Sequence, residues 1–208
     1  MALESHDALK EIIKNKSFRT GDFVLSSGVK SKFYFDLKPS MLDPQGSVLI
    51  AAELYRIIQN YAPDYVGGLE LGAVPITASL VSYSNAQANK FLGFIVRKKA
   101  KLYGTANLIE GLPQGTSLVG KKVVVIDDVT TTGNSIVKSV EQLKDLGANV
   151  VLAVSVIDRR EQDHLDSVIL DVPFTSVFTL NDFKEPESKP NTVFNMWDSY
   201  LNFWKIRS

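Results

Sequence analysis

VVVIDDVTTTGNS, running from Val123 to Ser135, decides how the rest of the chain is read. Four β-branched apolar residues in a row suit a strand buried on both faces. The run ends on two adjacent carboxylates, Asp127 and Asp128, and a turn of hydroxyl and amide residues around Gly133 follows. NSIVKSVEQLKDLG then repeats its apolar residues at helical spacing and closes on Gly147. In an open parallel sheet, ligands bind outside the carboxyl ends of the strands, so both acids stand where a substrate would be. Backbone amides at the start of a helix, assisted by threonine and serine hydroxyls, form an anion site, and Gly133 lets the backbone approach the oxygens. Two carboxylates would repel that same phosphate; as pure hydrogen-bond acceptors they suit hydroxyl groups instead. A sugar phosphate satisfies both halves. On spacing alone, a plain strand end followed by a threonine helix cap accounts for these residues equally well.

The same rhythm repeats outward. YVGGLELGAVPI reads as strand and tight turn, ITASLVSYSNAQA as helix, FLGFIVR as strand, and ANVVLAVSVID as the strand after the central helix. The expected fold class is α/β, an open and mainly parallel sheet flanked by helices in three layers. Ahead of it, DALKEII puts Leu9, Ile12 and Ile13 on one helical face, and GSVLIAAELYRIIQN does the same with Val48, Ala51, Ala52, Tyr55 and Ile58. Between these helices, FVLSSGVKSKFYFDLK alternates unevenly around a Ser-Gly turn and suits a hairpin or an irregular hood. We expect a single domain over 1–208, with the N-terminal helix and hood to about 45 and the α/β core over 46–180.

Two segments break the rhythm. Residues 98–122, KKAKLYGTANLIEGLPQGTSLVGKK, are long, polar and glycine-dotted, and are expected to form a mobile lid. Over 181–208, KEPESKP reads as an exposed linker, and Phe194, Trp197, Leu201 and Trp204 fall on one helical stripe. That last helix is expected to dock on the domain or on a partner subunit. No internal repeat or low-complexity tract is present.

Composition removes several function classes. Lys plus Arg is 23 and Asp plus Glu is 23, so the diffuse positive field of a general nucleic-acid or anionic-membrane binder is missing. With no cysteine, neither a disulfide framework nor a thiolate metal site is available, and the cytoplasm is the natural default. MALESHDALKEII lacks the basic and apolar regions of a signal peptide, and no apolar run approaches the roughly 20 residues of a membrane span. GTSLVGKK imitates a nucleotide P-loop, but Lys122 occupies the Ser/Thr position and the stretch precedes a strand instead of opening a helix. His6 and His164 have no spacing that would make a zinc site.

The thirteen residues from Val123 to Ser135 resemble the phosphoribosyl diphosphate (PRPP) signature of type I phosphoribosyltransferases. Four further stretches, within about residues 20–180, are similar to orotate phosphoribosyltransferases. FVLSSGVKSKFYFDLK, with its Ser-Gly and Ser31, resembles the family's base-binding hood, where Tyr34 and Phe35 would flank the pyrimidine. ELGAVPI resembles the pyrophosphate loop, with Gly72 and Ala73 offering amides to the diphosphate. RKKAKLYGTANLIEG resembles the lid, which in the family closes over the neighbouring subunit's site with Arg97, Lys98, Lys101 and Tyr103 as ligands. In VSVIDRREQ, Arg159 stands where the family pairs a guanidinium with the orotate carboxylate. Some members place a PRPP-binding lysine where this chain has Ser26, and many have histidine at Tyr103. Asp163 and His164 replace common glycines. The chain is too short to hold the decarboxylase domain fused to the animal enzymes.

The resemblance implies attack of orotate N1 on C1 of PRPP, giving orotidine 5′-phosphate and pyrophosphate in pyrimidine biosynthesis. It implies a PRPP site made of Asp127, Asp128, Val129, Thr130, Thr131, Thr132, Gly133, Asn134 and Ser135, with Ser26, Gly72, Ala73, Arg97, Lys98, Lys101 and Tyr103. Orotate would meet Tyr34, Phe35, Thr131 and Arg159, and the residues acting in catalysis would be Lys101, Arg97, Asp127 and Asp128. Mg2+ would arrive on PRPP and water, near the two acids, without direct protein ligands. A homodimer is implied, with no nucleic-acid or membrane partner. The competing readings are a purine or uracil phosphoribosyltransferase and a non-catalytic PRPP-sensing regulator.

Overall fold

The protein is represented by a computed structural model that describes residues 2–24, 30–99, 108–160, 168–169 and 171–184. Helix α1 (Ala2–Lys16) leads into an antiparallel hairpin, β1 (Phe18–Val24) with β2 (Lys30–Phe35), whose register shifts between Thr20 and Phe23. A short helix α2 (Lys38–Met41) and the long α3 (Pro44–Ile58) follow. The core then runs β3 (Tyr65–Leu69), α4 (Ala73–Ser84), β4 (Leu92–Val96), β5 (Ile109–Glu110), β6 (Lys122–Thr130), α5 (Asn134–Asp145), β7 (Asn149–Asp158), β8 (Val168–Ile169) and β9 (Val172–Thr179).

The main sheet has the order β5-β4-β3-β6-β7-β9-β8. Its five central strands are parallel, and the two-residue strands at either edge are antiparallel. β6 lies in the middle, and its side chains sort by parity, as a strand period of two requires. Val124 and Ile126 pack with Leu9, Ile13, Leu54, Ile58, Ile76 and Leu80 of α1, α3 and α4. Val123 and Val125 pack with Ile136, Val140 and Leu143 of α5 on the other face. The continuous apolar run in the sequence is therefore a strand covered on both sides, in three layers as expected.

Local chemistry sets the helix ends. Asp43 caps α3, accepting from the amides of Gln45 at 3.1 Å and Gly46 at 2.9 Å, with Pro44 in the first turn, where its missing N–H costs nothing. Gly147, at φ +75°, closes α5 with two backward bonds, Gly147 N–H to Lys144 and Ala148 N–H to Leu143. The buried Glu53 of α3 accepts from Ser5 and Arg56 and lies 3.2 Å from His6, fastening α1 onto α3.

Three expectations need correction. Val48 is 55% exposed, because the buried face of α3 is centred on Ile50, Leu54 and Ile58. The segment expected as a lid over 98–122 is fixed beyond residue 107. Ile109 and Leu118 are buried in the α5-side core, and β5 pairs with β4. Phe35, expected beside the base, is buried in the core. The Ser-Gly turn of the hood, residues 100–107 and the aromatic stripe from Phe194 to Trp204 lie outside the described residues. Among the described residues, no helix is long and apolar enough to cross a membrane.

Candidate active site

The parity of β6 sends its two acids to opposite faces. Asp127 continues the row of Val123 and Val125, and Asp128 the row of Val124 and Ile126. Asp127 is 6% exposed and accepts from the hydroxyl of Thr130 at 3.5 Å. Burial first, and then the neighbouring Asp128 charge, push its carboxyl up to about 8. Asp128 is also raised by burial, opposed by the Val129 N–H at 2.9 Å and by the Lys38 ammonium. A buried carboxylate beside a half-buried one resists joint ionisation, so donors or a cation reaching the pair favour its charged form.

The turn after β6 is built for close approach. Gly133 takes φ +78° at the N-cap of α5, a conformation that other residues adopt only with strain. Thr131, Thr132 and Asn134 are exposed at the rim, and Ser135 is half-buried. Thr130 is fully buried, with its hydroxyl on Asp127 and its carbonyl accepting from the Arg159 N–H. Val129 is half-buried.

Directly beside Asp128, Gly72 caps α4, and Ala73 opens that helix, buried. A Cβ on Gly72 would stand 2.5 Å from the Asp128 carboxylate, so only glycine lets this turn meet the acid. The turn also reaches residues 97 and 98 after β4. Glu70 accepts from the Lys98 N–H at 2.9 Å and stands 3.9 Å from the Arg97 guanidinium, which donates to Glu110 at 3.1 Å. Lys138 of α5 donates to the Lys98 carbonyl at 2.5 Å. Arg97 and Lys98 are thus placed beside the Gly72 turn, while Lys101, Tyr103 and Ser26 lie outside the described residues.

Arg159 follows β7 and is brought to the PRPP-like turn by its own N–H, which donates to the Thr130 carbonyl at 2.9 Å. Its Nη2 donates to the Ser31 hydroxyl at 2.9 Å and to the Phe33 carbonyl at 3.1 Å. The adjacent Arg160 is engaged by Asp158, at 2.9 Å through Nη2, and lies 4.4 Å over the Phe174 ring. Asp158 therefore neutralises Arg160 and leaves Arg159 with no carboxylate within 4.0 Å among the described residues. Burial lowers the Arg159 pKa, and its Nε is buried without a partner. Beside it opens a cavity of about 520 Å³ lined by Lys30, Ser31, Phe33, Asn181 and Lys184 among others.

The expected aromatic pair divides. Tyr34, 37% exposed, stacks on Phe23 with ring centroids 5.3 Å apart. Phe35 is 6% exposed and packs on Phe18 and Phe183, so it belongs to the core and cannot flank a base. Phe33 lines the cavity in its place. Strand alternation puts Ser31, Phe33 and Phe35 on one face but does not say which of the two rings lines the cavity. Lys38, whose charge reaches Asp128 and which donates to Asp36 at 2.9 Å, is a second site residue that the sequence does not mark. Nothing in the local pattern distinguishes it from a solvated lysine.

A doubly covered parallel sheet with an acid pair and a phosphate-type turn at the end of its middle strand defines a phosphoribosyltransferase. A family model of the phosphoribosyl transferase domain matches residues 42–185. An orotate phosphoribosyltransferase of Bradyrhizobium diazoefficiens is 44% identical over 179 residues, 86% of this chain and 96% of its own. That of Aquifex aeolicus is 35% identical over 185 residues, 88% and 99% of the two chains. The crystal structure of Mycobacterium tuberculosis orotate phosphoribosyltransferase in complex with PRPP superposes with a TM-score of 0.67 at 29% identity, covering 86% of this chain and 98% of that one. An adenine phosphoribosyltransferase from Rhodothermus marinus, 18% identical with a TM-score of 0.59, shares the fold alone. This chain belongs to the phosphoribosyltransferase family, in its orotate phosphoribosyltransferase branch.

Proposed function

We propose that this protein transfers the phosphoribosyl group of PRPP to N1 of orotate, releasing pyrophosphate and orotidine 5′-phosphate, a step of pyrimidine biosynthesis. The observation that carries the choice of base is Arg159, a guanidinium with no carboxylate partner among the described residues, lining a cavity beside the Phe33 ring. A planar base bearing a carboxylate supplies what that site lacks. The Arg159 N–H on the Thr130 carbonyl then holds the base pocket against the phosphate turn, which suits two substrates that must meet in line.

In this reading the 5′-phosphate sits on the amides and hydroxyls of Thr131 to Ser135, with Gly133 allowing close approach. Asp128, and Asp127 behind it, accept from the ribose diol; the gain of those donors favours the ionised pair, which then stabilises positive charge developing on the ring. Gly72 and Ala73 face the diphosphate. Arg97, Lys98 and Lys101 meet the leaving group, and orotate, already an anion, needs no strong general base. The Glu70 and Glu110 contacts of Arg97 fit a lid root held ready for a site in a second subunit of a homodimer.

Mg2+ fits the donor set in one way. Among the described residues no group of three or more His, Cys, Asp or Glu forms a metal cage, and two neighbouring aspartates provide only part of a hard-cation shell. The remaining ligands would come from PRPP and water. When bound, the ion neutralises diphosphate charge.

The test is loss of orotate absorbance on adding PRPP and Mg2+, with uracil, hypoxanthine and adenine run in parallel. Reaction with orotate alone, stopped by chelation, is the expected result. Reaction with a purine or with uracil instead would replace the assignment of base, and PRPP binding without any reaction would point to a sensor.

A further inference from the structure

We propose that Ser31 is the positioning residue that aims Arg159, and so sets the preference for a carboxylated base. This rests on the reading of Arg159 given above. A serine hydroxyl has one proton to donate and two lone pairs. At Ser31 all three are used. The hydroxyl donates to the Phe33 carbonyl at 2.9 Å, and accepts from the Phe33 N–H at 3.2 Å and from Arg159 Nη2 at 2.9 Å. Donating to the carbonyl turns the lone pairs toward the guanidinium, so the hood backbone fixes the hydroxyl and the hydroxyl fixes the arginine.

The need for such a guide follows from the surroundings. Arg159 has no carboxylate partner among the described residues, and its Nε is buried unpaired. Its side chain is long and rotamer-rich, and without an anchor it would sample orientations that turn the donor fork away from the cavity. The Phe33 carbonyl alone, at 3.1 Å, fixes one proton of Nη2 and leaves rotation about that contact. Ser31 supplies the second point. It reaches Arg159 from 128 positions away in the sequence, so hood and sheet end are joined through this hydroxyl.

Ser31→Ala should raise KM for orotate about tenfold, the scale of one hydrogen bond to a charged group, with kcat at saturating orotate and KM for PRPP within about twofold of wild type. Ser31→Thr, which keeps the hydroxyl, should restore orotate KM. A merely structural role would lower thermal stability and disturb both substrates together. Unchanged orotate KM in Ser31→Ala, or equal loss for orotate and PRPP, overturns the proposal. Arg159→Ala, measured alongside, separates the two ideas. If it raises orotate KM while Ser31→Ala does not, only the positioning role fails; if neither does, the reading of Arg159 fails with it.

Discussion

The acid pair and phosphate turn occupy consecutive residues from Asp127 to Ser135, whereas the pocket beside Arg159 takes its walls from β2, the end of β7 and the residues after β9. In the first, a strand end and a helix start place every functional group by local geometry, and no distant contact is needed to bring them together. In the second, Arg159 points where it does because Ser31 and Phe33 hold it across the fold and because Asp158 has taken Arg160. One half of the site is a property of a segment, and the other is a property of the fold. The two halves should therefore fail differently.

Asp128→Asn should break the local half with the largest effect. In the proposed mechanism it removes charge where positive charge develops, and turnover should fall by about a hundredfold to a thousandfold in steady-state assays, with orotate KM little changed. Wild-type turnover would remove the acid from the mechanism. Arg159→Ala should break the assembled half selectively, raising orotate KM about a hundredfold as a charge-assisted contact is lost, with PRPP KM unaltered. Parallel loss of both would mean that the halves are not separable.

Gly72→Ala sharpens the boundary between them. Its new Cβ would stand 2.5 Å from the Asp128 carboxylate, so the turn or the acid must shift. PRPP KM should rise about tenfold or more while orotate KM stays near wild type. The smallest effect is on stability. Burial pushes the Asp127 carboxyl up to about 8 in the folded state, well above an ordinary aspartate, so the fold binds the proton more tightly than the unfolded chain. Stability from this group is present below pH about 4 and is lost as pH rises toward about 8. Asp127→Asn should flatten that decline, gaining on the order of 2 kcal/mol over wild type at pH 8 and little at pH 4 in urea unfolding. The opposite pH trend would contradict the burial argument.

The same division explains what was legible in the sequence. The apolar run Val123–Ile126, the acids and the turn could be read because strand period, helix start and glycine conformation are all local properties. The parallel α/β order followed from alternation of short apolar runs and helical stretches. The hood could be recognised as a hairpin, but not which aromatic ring faces the base. That choice depends on Phe18 and Phe183 drawing Phe35 into the core, and Phe183 lies far along the chain. The core anchoring of residues 108–122 went unread because Ile109 and Leu118 sit in two-residue apolar pairs among polar residues and glycines, without a period to betray them. Lys38 gains its meaning only from Asp128, which lies far from it in the sequence.

The central claim is that Arg159, aimed by the fold, chooses a carboxylated pyrimidine. The most direct measurement is kcat/KM for orotate and for uracil, in the wild-type protein and in Arg159→Ala. Wild type should favour orotate by at least about a hundredfold, and the variant should lose that preference by losing orotate activity alone. Preference retained in the variant, or no preference in the wild type, would contradict the account.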